Sequence, residues 1–361
     1  MSPATSPERA ALRRSKRVVV KIGSRALARD PDAHERLAAS VKALVDGGRR
    51  VVIVSSGAIA LGTKKLGYRA RPKEMARLQA AAAAGQSLLM RAYEQAFEVL
   101  GITVAQVLLT HADLADRTRA NNARGAIEAL LDARAVPVLN ENDSVAIEEI
   151  KFGDNDELSS MVAPLIGAEA LLLLSDVEGL LDARGHRVGV VHDIAREALP
   201  LARRAKSAEG TGGMASKLEA ARRATLGGAH VVIADAAVDS VIERALDGDD
   251  VGTLFVASSR RIPAKKHWIA FTLRPRGELL LDAGAASAVR GRGTSVLSVG
   301  VRGVRGDFRA GDSVSLVDLD GVEVGRGLAR KPATEAVLLA GRRDLPEDAG
   351  VLVHRDELVV W

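Results

Sequence analysis

The polar stretch from Asn140 to Glu157 is the part of this 361-residue chain whose residue types best suit chemistry. Its amides and carboxylates come in two groups: Asn140, Asn142 and Asp143, then Asp154, Asn155 and Asp156. Connections in compact α/β domains are usually short, so a polar loop of this length is more often functional than idle. Crowded carboxylates repel one another unless they face a cation, which predicts an ammonium group or a metal ion nearby. A solvated surface loop is the alternative for this stretch taken alone.

Lys21 is a second candidate, because it lies inside the apolar strand Val18–Gly23, where an unpaired ammonium group would be costly. Asp156 or a bound phosphate could neutralise it. An edge-strand lysine that reaches solvent is the alternative. Three roles stay open for Asp143, Asn155 and Asp156: binding an ammonium group, ordering the lysines or holding a metal.

The glycine-rich segment Glu209–Lys217 precedes a predicted helix and favours phosphate binding. Glycines let the backbone approach a phosphate closely, and a helix N-terminus adds about half a positive charge. Lys217 falls in the first helical turn, where a lysine is unfavourable unless an anion is near. The spacing before Lys217 differs from that of a Walker A motif. A flexible connector is the alternative for this segment.

The elements that must position these residues are short apolar strands that alternate with helices. Strands are predicted at Val18–Gly23, Val51–Val54, Ile102–Leu108, Val136–Leu139, Leu171–Leu174, Val231–Ala234 and Thr253–Val256. Helices are predicted at Ala33–Val45, Lys73–Leu100 (interrupted near Gly85), Arg119–Ala133, Leu158–Ile166, Ala215–Leu226 and Val238–Leu246. This alternation predicts an α/β fold, a three-layer αβα sandwich around a mostly parallel sheet.

Ligands of such sheets bind beyond the carboxyl ends of the strands. Lys21, Ser55-Ser56, the Asn140 loop and Ser175-Asp176 all lie at predicted carboxyl ends. Small residues after Ser56 lead into a helix start, where free backbone N–H groups could bind an anion. The convergence predicts one site built from all four segments.

Composition excludes several other classes of site. The chain has no cysteine, so it has neither disulfides nor thiolate metal sites, which fits a reducing compartment. Its seven histidines are scattered without metal-ligand spacing, and no protein metal site is predicted. No apolar run approaches the ~20 residues of a membrane span. We therefore expect a cytoplasmic protein without a membrane anchor.

Charge divides the chain into four predicted parts. Residues 1–17 carry a charge of +4 and are expected to form a flexible tail, and residues 258–275 carry +5 and are expected to form a linker. The α/β domain is placed at 18–257, with a charge of −3, and a small β-rich domain at 276–361, with −1. Alternating segments such as Ser313–Val317 predict the β structure. Because the basic excess lies outside the parts predicted to fold, we do not expect nucleic acid as a partner.

The sequence resembles the amino acid kinase family, in particular the members that phosphorylate glutamate. The resemblance begins at Val18 and is carried by Val19–Ser24, Ser55–Ile59, Asn121–Arg124, Asn140–Asp143, Phe152–Asp156 and Gly210–Met214. The part from Gly277 to Asp356 resembles the PUA domain that many members carry.

The resemblance implies ATP-dependent phosphorylation of the side-chain carboxylate of L-glutamate, the first step of proline biosynthesis. It assigns catalysis to Lys21, Lys217 and Asp156, and substrate binding to Ser56, Asp143 and Asn155. ATP would be bound by Lys21, Ser175, Asp176, Thr211, Gly212, Gly213, Met214, Ala215, Ser216 and Lys217. It further implies Mg²⁺ with ATP, a homo-oligomer (dimer or tetramer) and feedback inhibition by proline.

This chain departs from the family pattern on the nucleotide side. Arg25 replaces a small residue, the Ser175–His192 segment is short, and Leu181 stands where an aromatic residue is common. Two alternatives stay open: a related kinase with another carboxylate or carbamate acceptor, and an RNA-binding protein that uses its PUA domain. The charge of −1 in that domain argues against RNA, because phosphate binding needs clustered Lys and Arg.

Overall fold

The computed structural model describes residues 6–146, 155–204, 213–259, 261–346 and 349–360. The chain forms two compact units, Met1–Arg261 and Ile262–Trp361. No helix within the described ranges is both long and apolar enough to span a bilayer.

The first unit is built on one eight-stranded sheet. Its strands are β1 (Arg17–Ile22), β2 (Arg50–Val54), β3 (Val104–Leu109), β4 (Val136–Glu141), β5 (Ala170–Ser175), β6 (Val190–Val191), β7 (His230–Asp235) and β8 (Thr253–Phe255). They are ordered β3-β4-β2-β1-β5-β7-β8-β6, and among these strands only β7 and β8 run antiparallel to each other. The strand order reverses direction beside β1, the position at which open α/β sheets bind ligands.

Helices cover both faces of this sheet. They are α1 (Pro7–Ala10), α2 (Ser24–Arg29), α3 (Ala33–Asp46), α4 (Ala58–Lys65), α5 (Met75–Glu98), α6 (His111–Ala115), α7 (Arg117–Asp132), α8 (Asn155–Leu165), α9 (Leu199–Arg204), α10 (Gly213–Leu226) and α11 (Val241–Leu246). Val18 and Val20 enter the core under α3 and α5, whereas Val19 enters the core under α8 and α10. Alternate residues of a strand point to opposite faces, so β1 is buried on both sides. The predicted three-layer sandwich is confirmed.

Helices α4 and α5 pack closely because each carries a glycine at the contact. A Cβ added to Gly62 would lie 1.7 Å from the carbonyl oxygen of Ala81, and one added to Gly85 would lie 1.7 Å from that of Ala58. Helix α5 runs without interruption from Met75 to Glu98, so the predicted break near Gly85 is wrong. The glycine serves close helix packing and does not end the helix.

From residue 6 onward, the N-terminal segment does not form the flexible tail expected from its composition. Residues Pro7–Ala10 form α1, and Ala11–Arg14 continue as a 3₁₀-helix. Arg9 is only 2% exposed, and its guanidinium donates hydrogen bonds to the carbonyl oxygens of Gly189, Asp249, Val251 and Gly252. A buried arginine is tolerated when acceptors satisfy its donors. Basic residues were therefore a poor indicator of disorder here.

The second unit is β-rich, as predicted. Its strands are β9 (Gly277–Leu281), β10 (Val296–Leu297), β11 (Val301–Gly306), β12 (Ser313–Val317), β13 (Glu323–Ala329) and β14 (Val351–Val360). They form one sheet in the order β10-β14-β13-β12-β9-β11. Its helices are α12 (Ala264–His267), α13 (Ala283–Arg292) and α14 (Ala333–Leu339).

Much of the expected linker 258–275 belongs to this second unit. Helix α12 continues into a wider helical turn, Trp268–Thr272, in which Ile269 and Phe271 are buried. Arg326 of β13 donates a hydrogen bond to the carbonyl oxygen of Ala270, at 3.1 Å. The basic residues of this stretch had hidden the apolar side chains between them, so the linker expectation is wrong for these residues.

The α4–α5 contact predicts opposite effects for two glycine-to-alanine substitutions. Gly85→Ala places a methyl group against a backbone carbonyl, so the free energy of unfolding should fall by about 3 kcal/mol, the upper end for overpacked interiors. Gly125 of α7 has open space around an added Cβ, and Gly125→Ala should raise that free energy by up to about 1 kcal/mol. Urea denaturation followed by circular dichroism measures both. Equal midpoints for the two variants would contradict the close contact.

The division at Arg261 predicts which truncation folds. A chain that ends at Arg261 keeps the first unit whole and should unfold in urea in a single cooperative transition. A chain that ends at Arg274 keeps Ile269 and Phe271 without the sheet that buries them, so it should aggregate more. Size-exclusion chromatography of both truncations provides the comparison. Aggregation of the shorter chain alone would place the boundary elsewhere.

Candidate active site

A cavity of about 320 Å³ opens in the first unit at the carboxyl ends of the central strands. It brings together most of the residues predicted from the sequence: Lys21, Ser56, Asp143, Asn155, Ser175, Asp176, Gly213, Ser216 and Lys217. The strands that end there are parallel neighbours, which is why segments more than 100 residues apart in sequence meet. The predicted convergence on one edge of the sheet is confirmed.

Asp156 lies between the two lysines of the site. Its Oδ1 is 2.6 Å from Lys21 Nζ, and its Oδ2 is 2.9 Å from Lys217 Nζ. Asp156 is fully buried, and the Lys21 side chain is 7% exposed. Burial opposes ionisation of the Asp156 carboxyl, but the two ammonium groups outweigh it and hold its pKa below the usual value. The three groups therefore form one buried charged cluster.

The sheet and two helices determine the position of this cluster. Lys21 shares a face of β1 with Val19, and that face packs against α8 and α10, which carry Asp156 and Lys217. The two helices are also joined by an ion pair of 2.6 Å between Glu157 and Arg223. Asp156 and Lys217 are therefore held by helices and not by loops.

Asn155 begins α8 and contributes an amide to the cavity wall. Its Nδ2 donates to Ser56 Oγ at 2.8 Å and to Asn140 Oδ1 at 3.0 Å, which uses both of its N–H groups. Its Oδ1 is buried and has no hydrogen-bond partner among the residues that the structure describes. An unpaired buried acceptor is costly, so this oxygen is suited to accept from a ligand donor.

Asp143 adds a carboxylate to the same wall. It is 8% exposed, and burial raises its pKa from 3.8 to about 6, partly offset by the positive charge of Arg71. A buried carboxylate whose charge is only partly compensated favours a cationic ligand group.

The start of α4 forms another part of the cavity wall. Gly57 precedes α4 with φ of 114°, a conformation that side chains rarely adopt, and Gly57 and Ala58 line the cavity. The first N–H groups of a helix lack partners within the helix, and they bind anions. This turn is suited to a carboxylate or phosphate oxygen.

The predicted nucleotide segments are only partly described. Ser175 Oγ donates to Asp176 Oδ1 at 3.2 Å, and Arg25 Nη1 lies 3.4 Å from Asp176 Oδ2. Thr211 and Gly212 lie outside the described residues. Met214 packs against the core under α10, and Ala215 is exposed and not part of the cavity wall.

Arg71 and Asn140 are among the residues of the wall that were not assigned from the sequence. Arg71 lies between α4 and α5, where nothing in its neighbourhood distinguishes it from other exposed basic residues. Asn140 lay in the singled-out polar stretch, but its own role was not seen. Within the described ranges, no group of three or more Asp, Glu or His side chains could hold a metal ion.

Comparison with known proteins agrees with this geometry. Residues 16–235 match the model of the amino acid kinase family, and residues 277–344 match that of the PUA domain. A glutamate 5-kinase of Myxococcus xanthus is 46% identical over 372 residues, covering 98% of this chain and 99% of the relative. A glutamate 5-kinase of Chromobacterium violaceum is also 46% identical, covering 96% of this chain and 98% of the relative.

Two solved structures share the fold of the first unit. N-acetylglutamate synthase from Neisseria gonorrhoeae, in complex with coenzyme A and N-acetyl-glutamate, gives a TM-score of 0.54 at 18% identity, over 70% of this chain and 62% of that chain. Carbamate kinase from Giardia lamblia bound to AMP-PNP gives 0.50 at 16% identity, over 68% of this chain and 99% of that chain. On the family match and the full-length relatives together, the chain belongs to the amino acid kinase family and carries a PUA domain.

Proposed function

We propose that this protein transfers the γ-phosphoryl group of ATP to the side-chain carboxylate of L-glutamate, the first step of proline biosynthesis. The proposal rests on the buried Lys21–Asp156–Lys217 cluster. Its two ammonium groups lie in the same cavity as Asp143 and Asn155, which are suited to bind an amino acid. The full-length relatives named glutamate 5-kinase support the choice of substrate.

The reaction needs no general base. The side-chain carboxyl of glutamate has a pKa near ~4.3, so it is already a nucleophilic anion at neutral pH. One carboxylate oxygen forms a bond to the γ-phosphorus while the bond from that phosphorus to the β–γ bridging oxygen breaks, and ADP leaves with the electron pair. The barrier is the approach of one anion to another, so catalysis reduces to positioning and charge neutralisation.

Lys21 and Lys217 supply the neutralisation. Each ammonium group has three N–H donors, and the contact with Asp156 occupies one of them. The remaining donors are available to oxygens of the transferring phosphoryl group, where negative charge is held in the transition state. Asp156 keeps both lysines oriented, and it is a positioning residue.

Glutamate would be recognised through its α-amino and α-carboxylate groups. Asp143 and the unpaired Oδ1 of Asn155 suit the ammonium group. Ser56 and the N–H groups at the start of α4 suit the α-carboxylate.

ATP would enter as its Mg²⁺ complex and lie against Ser175, Asp176 and the start of α10. The described part of the chain contains no carboxylate cluster for a resident metal, which fits a Mg²⁺ ion held mainly by nucleotide phosphates and water. That ion would supply further charge neutralisation. The enzyme is proposed to work in the cytoplasm as a homo-oligomer.

A panel of acceptors, with hydroxylamine to trap the acyl phosphate, tests the proposal. Glutamate should give hydroxamate and ADP in equal amounts, and carbamate and N-acetylglutamate should give neither above background. Turnover of another acceptor without turnover of glutamate would replace the proposed substrate. The chain that ends at Arg261 should retain this activity, because every proposed site residue precedes that position.

Two substitutions separate substrate binding from chemistry. Asn155→Ala should raise KM for glutamate and leave KM for ATP nearly unchanged, because Asn155 is assigned to binding glutamate and not ATP. Lys217→Ala should lower kcat by about 10²–10³, the loss typical of one charge-stabilising donor. Lys217→Arg should rescue little, since a planar guanidinium does not replace a compact ammonium group. Circular dichroism must first show that the variants fold; a loss of kcat alone in Asn155→Ala would refute its role.

The raised pKa of Asp143 predicts that its ionised carboxylate lowers the stability of the fold while it favours binding of an ammonium group. Its folded-state pKa of about 6 exceeds the ordinary 3.8, so the ionised form disfavours folding, and this penalty is complete above pH 6 and disappears as pH falls. Asp143→Asn should therefore raise Tm relative to the wild type at pH 8, by a margin that shrinks towards pH 5. The same variant should bind glutamate more weakly. A margin that grew as pH fell would contradict the assignment.

Proline is proposed as a feedback inhibitor at the glutamate site. It carries an α-amino and an α-carboxylate group, which the residues proposed to bind those groups of glutamate would also bind. Proline should raise the apparent KM for glutamate without lowering kcat in steady-state kinetics. Inhibition that saturating glutamate fails to relieve would rule out a shared site.

A further inference from the structure

Helix α5 contacts the site from behind, through Gln86. This side chain is half-buried and lies outside the cavity wall, yet its Oε1 accepts a hydrogen bond of 2.9 Å from Asn140 Nδ2. Gln86 follows Gly85, at which α5 touches the backbone of α4. The position of Gln86 is therefore fixed by backbone packing between two helices.

The amide of Asn140 can take only one orientation in this environment. Its Nδ2 donates to Gln86, and its Oδ1 accepts from the backbone N–H of Glu141 at 2.9 Å and from Asn155 Nδ2 at 3.0 Å. Turning the amide over would set N–H against N–H and oxygen against oxygen. Such reversed contacts leave buried groups unsatisfied, which is costly.

The orientation of Asn140 in turn determines that of Asn155. Because Asn140 presents an oxygen, Asn155 must direct its Nδ2 towards it, and the second N–H goes to Ser56. What is left for a ligand is the buried Oδ1 of Asn155, an acceptor. An acceptor attracts an ammonium group, and an N–H at the same place would repel it.

We propose that Gln86 is a positioning residue for substrate specificity, which acts through Asn140 so that Asn155 presents an acceptor to the ammonium group of the substrate. The inference rests on the proposed function, because it explains how that site distinguishes an amino acid from a carboxylate without an amino group. Gln86 itself touches neither substrate.

Three variants of α5 test this role. Gln86→Met removes the acceptor at similar length and should raise KM for glutamate about tenfold, the effect of losing one buried hydrogen bond, with KM for ATP unchanged. Gln86→Glu keeps an acceptor and should restore KM to within about threefold of the wild type. Gln95→Met makes the same change at an exposed glutamine of the same helix and should leave KM unaltered. Equal KM values for Gln86→Met and Gln95→Met would overturn the proposal.

A double-mutant cycle shows whether Gln86 acts through Asn155. Adding Gln86→Met to Asn155→Ala should change KM for glutamate by less than about twofold, because the amide to be oriented is already gone. If the fold-change in KM for the double variant equals the product of the two single fold-changes, Gln86 acts independently of Asn155, and the proposal is overturned.

The outcome is separable from that of the proposed function. If wild-type protein forms no acyl phosphate from glutamate, the function fails. Calorimetric titration with glutamate then compares the Kd values of Gln86→Met and the wild type without turnover. Equal Kd values, or no measurable binding of glutamate by the wild type, overturn the inference as well. If the wild type is active and Gln86→Met is indistinguishable from it, the inference alone fails.

Discussion

The buried contact of Asp156 with Lys21 and Lys217 is the constraint on which the site depends. Removing charged groups from water is costly, and the cost is recovered only when opposite charges meet at close range with good geometry. The three residues come from β1, α8 and α10, so those elements must dock in one relative arrangement before the charges are satisfied. The docking that compensates these charges therefore also fixes the positions of two ammonium groups in the cavity wall.

A second constraint acts on another part of the cavity wall, where hydrogen bonds set the polarity. Hydrogen bonds join Asn155 to Asn140 and Ser56, and within the described residues they leave Asn155 Oδ1 without a partner. The two glycines between α4 and α5 bring the supporting helix close enough to take part. A cavity lined by both ammonium groups and acceptors suits a molecule that carries both a reactive anion and an ammonium group.

The sequence predicted the sheet better than its surroundings. Apolar runs such as Val51–Val54 and Ser313–Val317 lie within one residue of the observed strands, because period and burial are local signals. Lys21 was singled out as a charged residue inside an apolar strand, and Asn155 and Asp156 were singled out within a long polar stretch. Gln86 could not be found, since in an alanine-rich helix only the tertiary fold distinguishes it from Gln95. The burial of Arg9 was missed for the same reason, because composition does not reveal which distant carbonyl oxygens accept hydrogen bonds from its guanidinium.

Arg9 also bears on how the chain folds during synthesis. Its guanidinium binds carbonyl oxygens of Asp249 and Gly252, about 240 residues later in the chain. During synthesis the Arg9 guanidinium remains hydrated until nearly the whole first unit has left the ribosome, because its carbonyl acceptors have not been made before then. The segment around Arg9 is made before the rest of the first unit, but it is among the last parts of the unit to reach its final position. Its docking marks the completion of the unit and places the guanidinium against the residue that precedes β8.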